Sequence, residues 1–342
     1  MAYDSIRLEK GMYQTSGKSF TQVLESVDPS EQYQGTALEG LDAFQRQLKR
    51  FDIRVKGGAS DPVEKFFRSM DSAVLFPEFI ARTVRAGAED HDPLPSLLAT
   101  TTVIDAMDYR SLYAKSDKES LTPARVAEGA EIPSTQVKVK ERLITMKKRG
   151  RMLVASYEAV RFQKLDLFSV LLRRIGQFVQ RELVGDAVDT LINGDGNTGT
   201  AAPVNAVGTT PISGTSGTLT YDQLVEFWSL FDPFEMNTLL AASGAMVKLL
   251  KVDELQNPLT GLNFQGSGQL GSPLGAALVR SDAVPSGKLM GLDRRYALEM
   301  VKAGEIQVDY DRLIDRQLER AAVTTMAGFS KICGDAARVL TI

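Results

Sequence analysis

The chain has 342 residues, of which 43% are hydrophobic and 24% are charged. This length suits one large domain or two modest ones, and the composition excludes a wholly disordered chain. There are 40 basic and 43 acidic residues, giving a net charge of −3. A protein that condenses nucleic acid needs a basic surplus to displace counterions. We therefore expect this chain, if it contacts DNA, to enclose it and not to bind it tightly.

Residues 1–60 are mostly polar, which favours an extended arm over a packed domain. A capping box beginning at Thr36 precedes apolar residues that recur at helical steps between Leu41 and Phe51. We therefore expect residues 1–75 to form an N-terminal arm with short helices. A compact segment over residues 76–104 then leads into the core.

Residues 105–153 are polar and strand-like, with apolar side chains thinly spaced among charges. An isolated two-stranded hairpin is marginal in water, so a polar arm of this length needs a neighbour's surface. We expect a long β-hairpin whose basic return strand faces acidic surface on neighbouring copies. The predicted interface residues are Lys138, Lys140, Arg142, Lys147, Lys148, Arg149 and Arg151.

The strongest secondary-structure signal is a proline-free stretch with helical apolar spacing over residues 164–192. A helix of about 28 residues spans roughly 42 Å. Asn193 and Gly194 are expected to end it. Leu171 and Phe178 are expected to widen its apolar face. The predicted buried stripe consists of Phe168, Leu172, Ile175, Val179 and Leu183.

Beyond this helix, two Gly-rich loops separate short helices and strands, and strands over residues 321–329 and 336–342 close the chain. Cys333 is the only cysteine, so no internal disulfide forms, and a buried thiol in a reducing compartment is favoured. No signal peptide is recognisable, and no apolar run approaches the roughly 18 residues of a membrane span. These features predict a protein made in a cytoplasm, without a membrane partner.

The sequence offers no convincing catalytic, cofactor or metal site. Residues 266–271 match a dinucleotide-binding pattern, but no strand precedes them and Pro273 follows where a helix should run. The acidic cluster around His91, residues 89–92, favours a solvated turn. Asp195 begins a stretch like a calcium loop, whose twelfth position is Ala206 instead of Glu. We therefore expect no enzyme and no cofactor.

Four short stretches, in this order, resemble the major capsid proteins of tailed double-stranded DNA phages. They are a Glu-rich turn at 127–133, a Lys-Lys segment at 147–150, a Ser-Tyr-Glu helix entrance at 154–158 and a helix end at 191–196. The order is more specific than any one stretch, and the resemblance covers residues 76–342.

The resemblance implies an α+β protein with the Hong Kong 97 capsid fold. Its parts would be an N-terminal arm (1–75), the first part of the peripheral domain (76–104), the extended loop (105–153), the spine helix of the peripheral domain (154–199), the axial domain (200–310) and closing peripheral strands (311–342). It implies a structural protein that self-assembles into pentamers and hexamers of an icosahedral virion shell around a phage genome. Implied partners are copies of itself, a scaffold, a portal and a decoration protein.

Two alternatives stay open. An encapsulin-like nanocompartment shell shares the fold, and the contents of the particle, genome or enzyme cargo, would distinguish it. The second alternative is an α+β hydrolytic enzyme that uses the acidic cluster around His91, which turnover in a metal-dependent substrate screen would support.

Overall fold

The computed structural model describes residues 2–14, 18–90, 92–105, 108–114, 122–123, 125–135, 137–257, 272–304, 306–313 and 315–342. In these residues the helices are α1 (Phe20–Val27), α2 (Ala43–Arg50), α3 (Met70–Glu89), α4 (Tyr157–Phe162), α5 (Leu165–Asn193), α6 (Tyr221–Ser229), α7 (Ser243–Leu250) and α8 (Asp253–Gln256). The strands are β1 (Leu98–Val103), β2 (Leu112–Ala114), β3 (Val137–Val139), β4 (Lys147–Ser156), β5 (Val204–Ala206), β6 (Thr238–Ala241), β7 (Ala277–Arg280), β8 (Lys288–Leu292), β9 (Leu298–Lys302), β10 (Gln307–Leu313), β11 (Leu318–Lys331) and β12 (Ala337–Thr341). This mixture confirms the predicted α+β class.

The chain divides into two compact units. The first consists of Met1–His91, Arg149–Gln180 and Glu305–Thr325. The second consists of Asp92–Lys148, Arg181–Gly304 and Met326–Ile342. Three elements, β4, α5 and β11, therefore supply residues to both units.

The N-terminal residues pack into the core of the first unit. Leu24 and Phe44 are buried in one hydrophobic cluster with Phe66, Phe79 and Leu172. A polar composition hid this packing because each short helix buries only one narrow face. The prediction of an extended arm over residues 1–60 is therefore wrong for the residues that the structure describes.

A buried ion pair ties the N-terminal helices to one another. Arg46 on α2 donates to Asp28, just after α1, at 2.7 Å, and neither side chain is exposed. Tyr33 donates its hydroxyl to the other carboxylate oxygen at 2.6 Å and stacks beneath the guanidinium. Such a pair is tolerated in a core only when hydrogen bonds satisfy it this fully. These contacts belong to a packed segment.

Side-chain caps set where the first three helices begin. Ser19 caps α1 and Asp42 caps α2, each in a reciprocal capping box with the third residue of its helix. The predicted box at Thr36 is wrong, because Thr36 instead donates its hydroxyl to the carbonyl of Tyr33 within a turn. Ser69 caps α3, which continues through Pro77, so the predicted core segment at 76–104 begins inside a 20-residue helix.

Helices α3 and α5 cross in the first unit with their backbones in contact. A Cβ on Gly87 would lie 2.1 Å from the carbonyl oxygen of Arg173, and a Cβ on Gly176 would lie 2.0 Å from that of Val84. Two glycines facing each other's helix permit this close approach. The pair fixes the position of α5 against α3.

The second unit contains a five-stranded mixed sheet in the order β5-β12-β8-β6-β7. Its central strands are antiparallel, with Met290 of β8 paired to Val339 on one side and Leu240 on the other. These three side chains are fully buried. In the same unit β1 runs parallel to β9, and β9 pairs antiparallel with residues 327–331 of β11. The first unit contains the hairpin of β10 with residues 318–324.

Helix α5 has 29 residues and confirms the predicted long helix. Gly194 follows it with a φ of +84°, a conformation that favours glycine at a helix end. Of the predicted stripe, Leu172, Val179 and Leu183 are buried, and Phe168 and Ile175 are partly buried. Among the described residues no helix combines the length and hydropathy needed to cross a membrane.

Candidate assembly surfaces

The described part of the segment 105–153 contains a two-stranded antiparallel ribbon, called here the hairpin. Strand β2 pairs antiparallel with β3, so that Leu112 lies opposite Val139 and Ala114 opposite Val137. Leu112, Val137 and Val139 are each between 58% and 64% exposed. These side chains gain little hydrophobic stabilisation within their own chain, so the ribbon leaves apolar surface exposed.

Between β2 and β3 the described residues include an acidic turn. The amide of Ala130 donates to the carbonyl of Ala127 at 3.0 Å, and Gly129 has a φ of +76° that the turn requires. Glu128 and Glu131 are exposed on this turn. Ile132 follows and is 74% exposed.

A buried carboxylate fastens the outgoing side of the hairpin. Glu299 of β9 accepts hydrogen bonds from Thr102 at 2.8 Å, from Tyr109 at 3.1 Å and from the hydroxyl of Ser111. Burial, together with the negative charge of Glu299, raises the pKa of Tyr109. Its phenol therefore stays protonated and continues to donate to the carboxylate.

A buried ammonium fastens the returning side. Lys140 is 4% exposed and donates to Asp195 at 2.6 Å, to Ser330 at 2.9 Å and to the carbonyl of Lys331. Burial alone would raise the pKa of Asp195, but its hydrogen bond and ion pair with Lys140 hold that pKa well below its usual range. The returning strand is thus bonded to the residues that follow α5 and to β11.

Lys331 adds a second buried amine beside the same carboxylate. Its side chain donates to the carbonyl of Leu191 at 3.0 Å, and its amide donates to Asp195. Burial lowers the pKa of Lys331 to about 8, because the charged form loses its hydration. Burying the charged form of Lys331 therefore destabilises the base of the hairpin, while its hydrogen bonds stabilise it.

Helix α5 has a second apolar face, which is exposed. Leu167, Val170, Leu171 and Phe178 are each between 53% and 60% exposed. At about 100° per residue these positions form one stripe on the side opposite Leu172. The prediction that Leu171 and Phe178 widen the buried face is therefore wrong.

A family model described as phage capsid protein matches residues 139–329, which is more than half of the chain. The chain belongs to this family. It is a structural shell protein of a virion, and such proteins assemble with copies of themselves. The matched residues include β4, the whole of α5 and most of the second unit. No curated protein sequence matches the chain.

Solved structures confirm the Hong Kong 97 fold of this capsid protein. The capsid of cyanophage P-SCSP1u is 13% identical, with 73% of this chain and 88% of that chain covered and a TM-score of 0.53. The capsid of the native GTA particle is 15% identical over 76% and 90%, with a TM-score of 0.51. The virus-like particle of Pyrococcus furiosus is 12% identical over 78% and 99%, with a TM-score of 0.50.

The predicted basic interface of the capsid protein is only partly available to a neighbour. Lys140 lies inside its own chain, so its assignment to the interface is wrong. Lys147 donates to Asp186 at 2.8 Å within the second unit while its side chain remains 47% exposed. Sequence spacing gave no sign of either partner, because Asp186 and Asp195 lie 39 and 55 residues further along the chain.

The other predicted interface residues differ in exposure. Arg149 is partly buried and has interactions within the chain. The exposed side chains without an ion pair among the described residues are Lys138, Arg142, Lys148 and Arg151. Their contact with a neighbouring subunit stays a prediction.

The structure describes the other candidate sites of the capsid protein only in part. His91 and the pattern at 266–271 lie outside the described residues. In the part of the chain that is described, no group of three acidic, histidine or cysteine side chains is placed to hold a metal. The carboxylate of Asp195 is paired with Lys140, and Cys333 is partly buried beside the core of the second unit.

Proposed function

We propose that this capsid protein joins copies of itself through the extended loop, residues 105–153, into rings of five and six subunits. These rings tile an icosahedral shell that encloses a phage genome. The supporting observation is a hairpin bonded to its own chain at the base by Glu299 and Lys140, while its outer ribbon leaves apolar side chains exposed. Such a ribbon is stable only against another surface.

The domain assignment belongs to the same proposal. Residues 76–104, 154–199 and 311–342 form the peripheral domain, residues 200–310 form the axial domain, and residues 1–75 precede them. The axial domain points to the five-fold and six-fold axes. A long helix with one buried face and mixed sheets give rigid blocks that can be repeated around such axes.

The genome is enclosed without sequence-specific contacts. The net charge of −3 gives no basic surplus for binding DNA phosphates. Assembly takes place in the host cytoplasm with a scaffold, a portal and a decoration protein as partners. The protein performs no catalysis in this scheme.

Negative-stain imaging of the purified protein, with sedimentation at micromolar concentration, tests the proposal. We expect oligomers of five or six copies and closed particles. A protein that stays monomeric under every assembly condition, including with a scaffold partner, would contradict it.

Particle contents separate a phage capsid from an encapsulin-like compartment. Nuclease-protected DNA of genome length supports the capsid, and an enzyme cargo supports the compartment. The family match to phage capsid proteins favours the first outcome.

A further inference from the structure

A polar cleft opens in the second unit near the start of strands β1, β6 and β7. Its volume is about 380 Å³, within the range of small-molecule sites. The walls come from the residues just before β1, from those that enter β6, from the turn between β8 and β9, and from the segment 272–277 that leads into β7. Every lining residue except Gly275 and Ala277 has a polar side chain. The cleft is therefore suited to a hydrophilic ligand.

A buried carboxylate holds one wall of the cleft in place. Asp293 accepts from the guanidinium of Arg295 at 2.8 and 2.9 Å and from the side-chain amide of Asn237 at 2.8 Å. Glu235 also accepts from Arg295, at 2.7 Å. Burial alone would raise the pKa of Asp293, but its hydrogen bonds and ion pair with Arg295 lower it. The charge of Arg295 is thus matched by two carboxylates.

The neighbouring Arg294 has no such match. Its backbone amide donates to the side-chain oxygen of Asn237 at 3.0 Å, which fixes the backbone of the turn. Arg294 lines the cleft, is exposed, and forms no side-chain hydrogen bond or ion pair with a described residue. Residues 255–281, which include another wall of the cleft, contain no Asp or Glu. One positive charge in the cleft is therefore left uncompensated.

Two hydroxyl groups add to the donors of the cleft. Ser96 and Ser272 line it, and neither side chain bonds to a described residue. Ser272 precedes a tight turn in which Leu274 has a φ of +54°, a left-handed conformation that costs free energy for a residue other than glycine. Strain of this kind is concentrated at ligand sites. A guanidinium and two hydroxyls from three separate segments can donate to the oxygens of an anion.

We propose that the cleft binds a small phosphate monoester, a nucleotide or a sugar phosphate, whose phosphate is held by Arg294, Ser96 and Ser272. The phosphate offers three strong acceptor oxygens, and its hydrogen bonds with a guanidinium are charge-assisted. The cleft is larger than one phosphate group fills, so the rest of the molecule also lies inside it. Glu235 accepts from Arg295 through one oxygen only, and its other oxygen can accept from a hydroxyl or amino group of the ligand.

This binding goes beyond the shell function and does not depend on how copies of the chain join. No residue of the extended loop, 105–153, lines the cleft. The ligand would connect Ser96 with Arg294, which lie far apart in the sequence. Because only the folded chain presents this set of donors, a bound ligand should stabilise the folded state by mass action.

Thermal unfolding of the full-length chain tests the proposal, with calorimetric titration to measure affinity. The ligands are deoxyadenosine monophosphate, a pentose phosphate, inorganic phosphate and deoxyadenosine without phosphate. We expect at least one of the two phosphate monoesters to raise the unfolding temperature saturably and to bind more tightly than inorganic phosphate. Deoxyadenosine should have no effect. The tighter of the two monoesters identifies whether a nucleoside or a sugar carries the phosphate.

Substitutions locate the binding in the cleft. Arg294→Gln should weaken binding of the tighter monoester about tenfold or more, because it removes the charge-assisted hydrogen bonds. Ser96→Ala should weaken it severalfold. Arg280→Gln changes an exposed arginine on β7 that does not line the cleft, and this matched control should bind like wild type. Without ligand, Arg294→Gln and Arg280→Gln should both unfold at the wild-type temperature.

Three results would overturn the proposal and leave the shell function intact. The first is that neither monoester stabilises the chain saturably at millimolar concentration. The second is that inorganic phosphate binds as tightly as both monoesters, which would reduce the cleft to an anion site. The third is that Arg294→Gln binds the monoester like wild type.

Discussion

At the scale of single residues, two amines share one carboxylate at the base of the loop. Asp195 accepts from Lys140 and lies close to Lys331, and all three side chains are buried or nearly so. The arrangement holds the returning strand only while the carboxylate is ionised and Lys140 is charged. We therefore expect Lys140 to stabilise the folded chain through its ion pair, and the buried Lys331 to destabilise it while its amine is charged.

Replacing Lys140 with Met leaves Asp195 buried and charged without its partner. Breaking a buried pair in this way costs about 3–5 kcal/mol. Urea unfolding at neutral pH should show this loss, and adding Asp195→Asn should recover part of it. Lys138→Met, at an exposed lysine two residues earlier, is the control and should change stability by less than about 0.5 kcal/mol. An unchanged midpoint for Lys140→Met would place that ammonium in solvent.

Lys331 should make the protein more stable at alkaline pH. Its pKa is lowered to about 8 in the folded chain, against about 10.4 in an unfolded one. Between these values the unfolded state binds more protons, so stability rises with pH. The electrostatic cost is fully present below about pH 8 and is lost as pH approaches about 10.4.

The comparison is between wild type and Lys331→Met, by chemical unfolding near pH 7 and near pH 10. Wild type should gain up to about 3 kcal/mol relative to the variant over this range. A difference that does not vary with pH would show that the amine has an ordinary pKa.

At the scale of elements, α5 is apolar on both faces, and each face has its own consequence. Leu172→Ala should lower the free energy of unfolding by about 2–5 kcal/mol, because it leaves a cavity in the hydrophobic core of the first unit. Leu171→Ala changes the adjacent, exposed residue and should barely affect unfolding. Equal losses of stability from the two variants would mean that the faces are misassigned.

The crossing of α3 and α5 predicts that two glycine substitutions change the stability of the protein in opposite directions. Gly176→Ala should destabilise the protein, because its new Cβ meets backbone at 2.0 Å. Gly185→Ala, in the same helix with nothing within 4 Å of the new Cβ, should stabilise it by up to about 1 kcal/mol. Thermal unfolding of the two variants measures the contrast, and a stabilising Gly176→Ala would show that the helices can separate.

Prediction from sequence succeeded where a pattern was long and local. Helix α5 was predicted within one residue at each end, because its apolar spacing continues for 29 residues and Gly194 ends it. The stripe predicted to be buried contains the buried Leu172, Val179 and Leu183, but the width of the buried face could not be predicted, since the exposed Leu171 is chemically like Leu172. The partner of Lys140 lies 55 residues away, and the burial of Arg46 depends on Asp28 and Tyr33, so neither leaves a local signal.

At the scale of the whole molecule, weak contacts repeated in every copy decide whether a shell holds. Reversing Lys138, Lys148 and Arg151 to Glu should leave the unfolding of a single subunit nearly unchanged and weaken the shell. Each exposed pair contributes only about 0–1 kcal/mol, but the loss recurs in every subunit. Shells of the wild type should also weaken with added salt, which screens such pairs.

Sedimentation of assembled material at several salt concentrations measures this effect. The variant Lys10→Glu, Lys56→Glu and Lys251→Glu carries the same change in net charge on exposed residues elsewhere. If both triple variants assemble equally well, the basic strand faces solvent. If the loop variant fails to fold, the strand belongs to its own core.

The packing of the N-terminal residues limits how this chain can be shortened. Leu24 and Phe44 share a hydrophobic cluster with side chains of α3 such as Phe79, so removal of residues 2–53 would expose apolar surface of that cluster to water. A truncated chain should aggregate before it could assemble. Proteolysis that cuts the N-terminal residues can therefore give a stable product in only two ways. Either the cleaved segment stays bound, or a neighbouring subunit covers the apolar surface that the segment leaves.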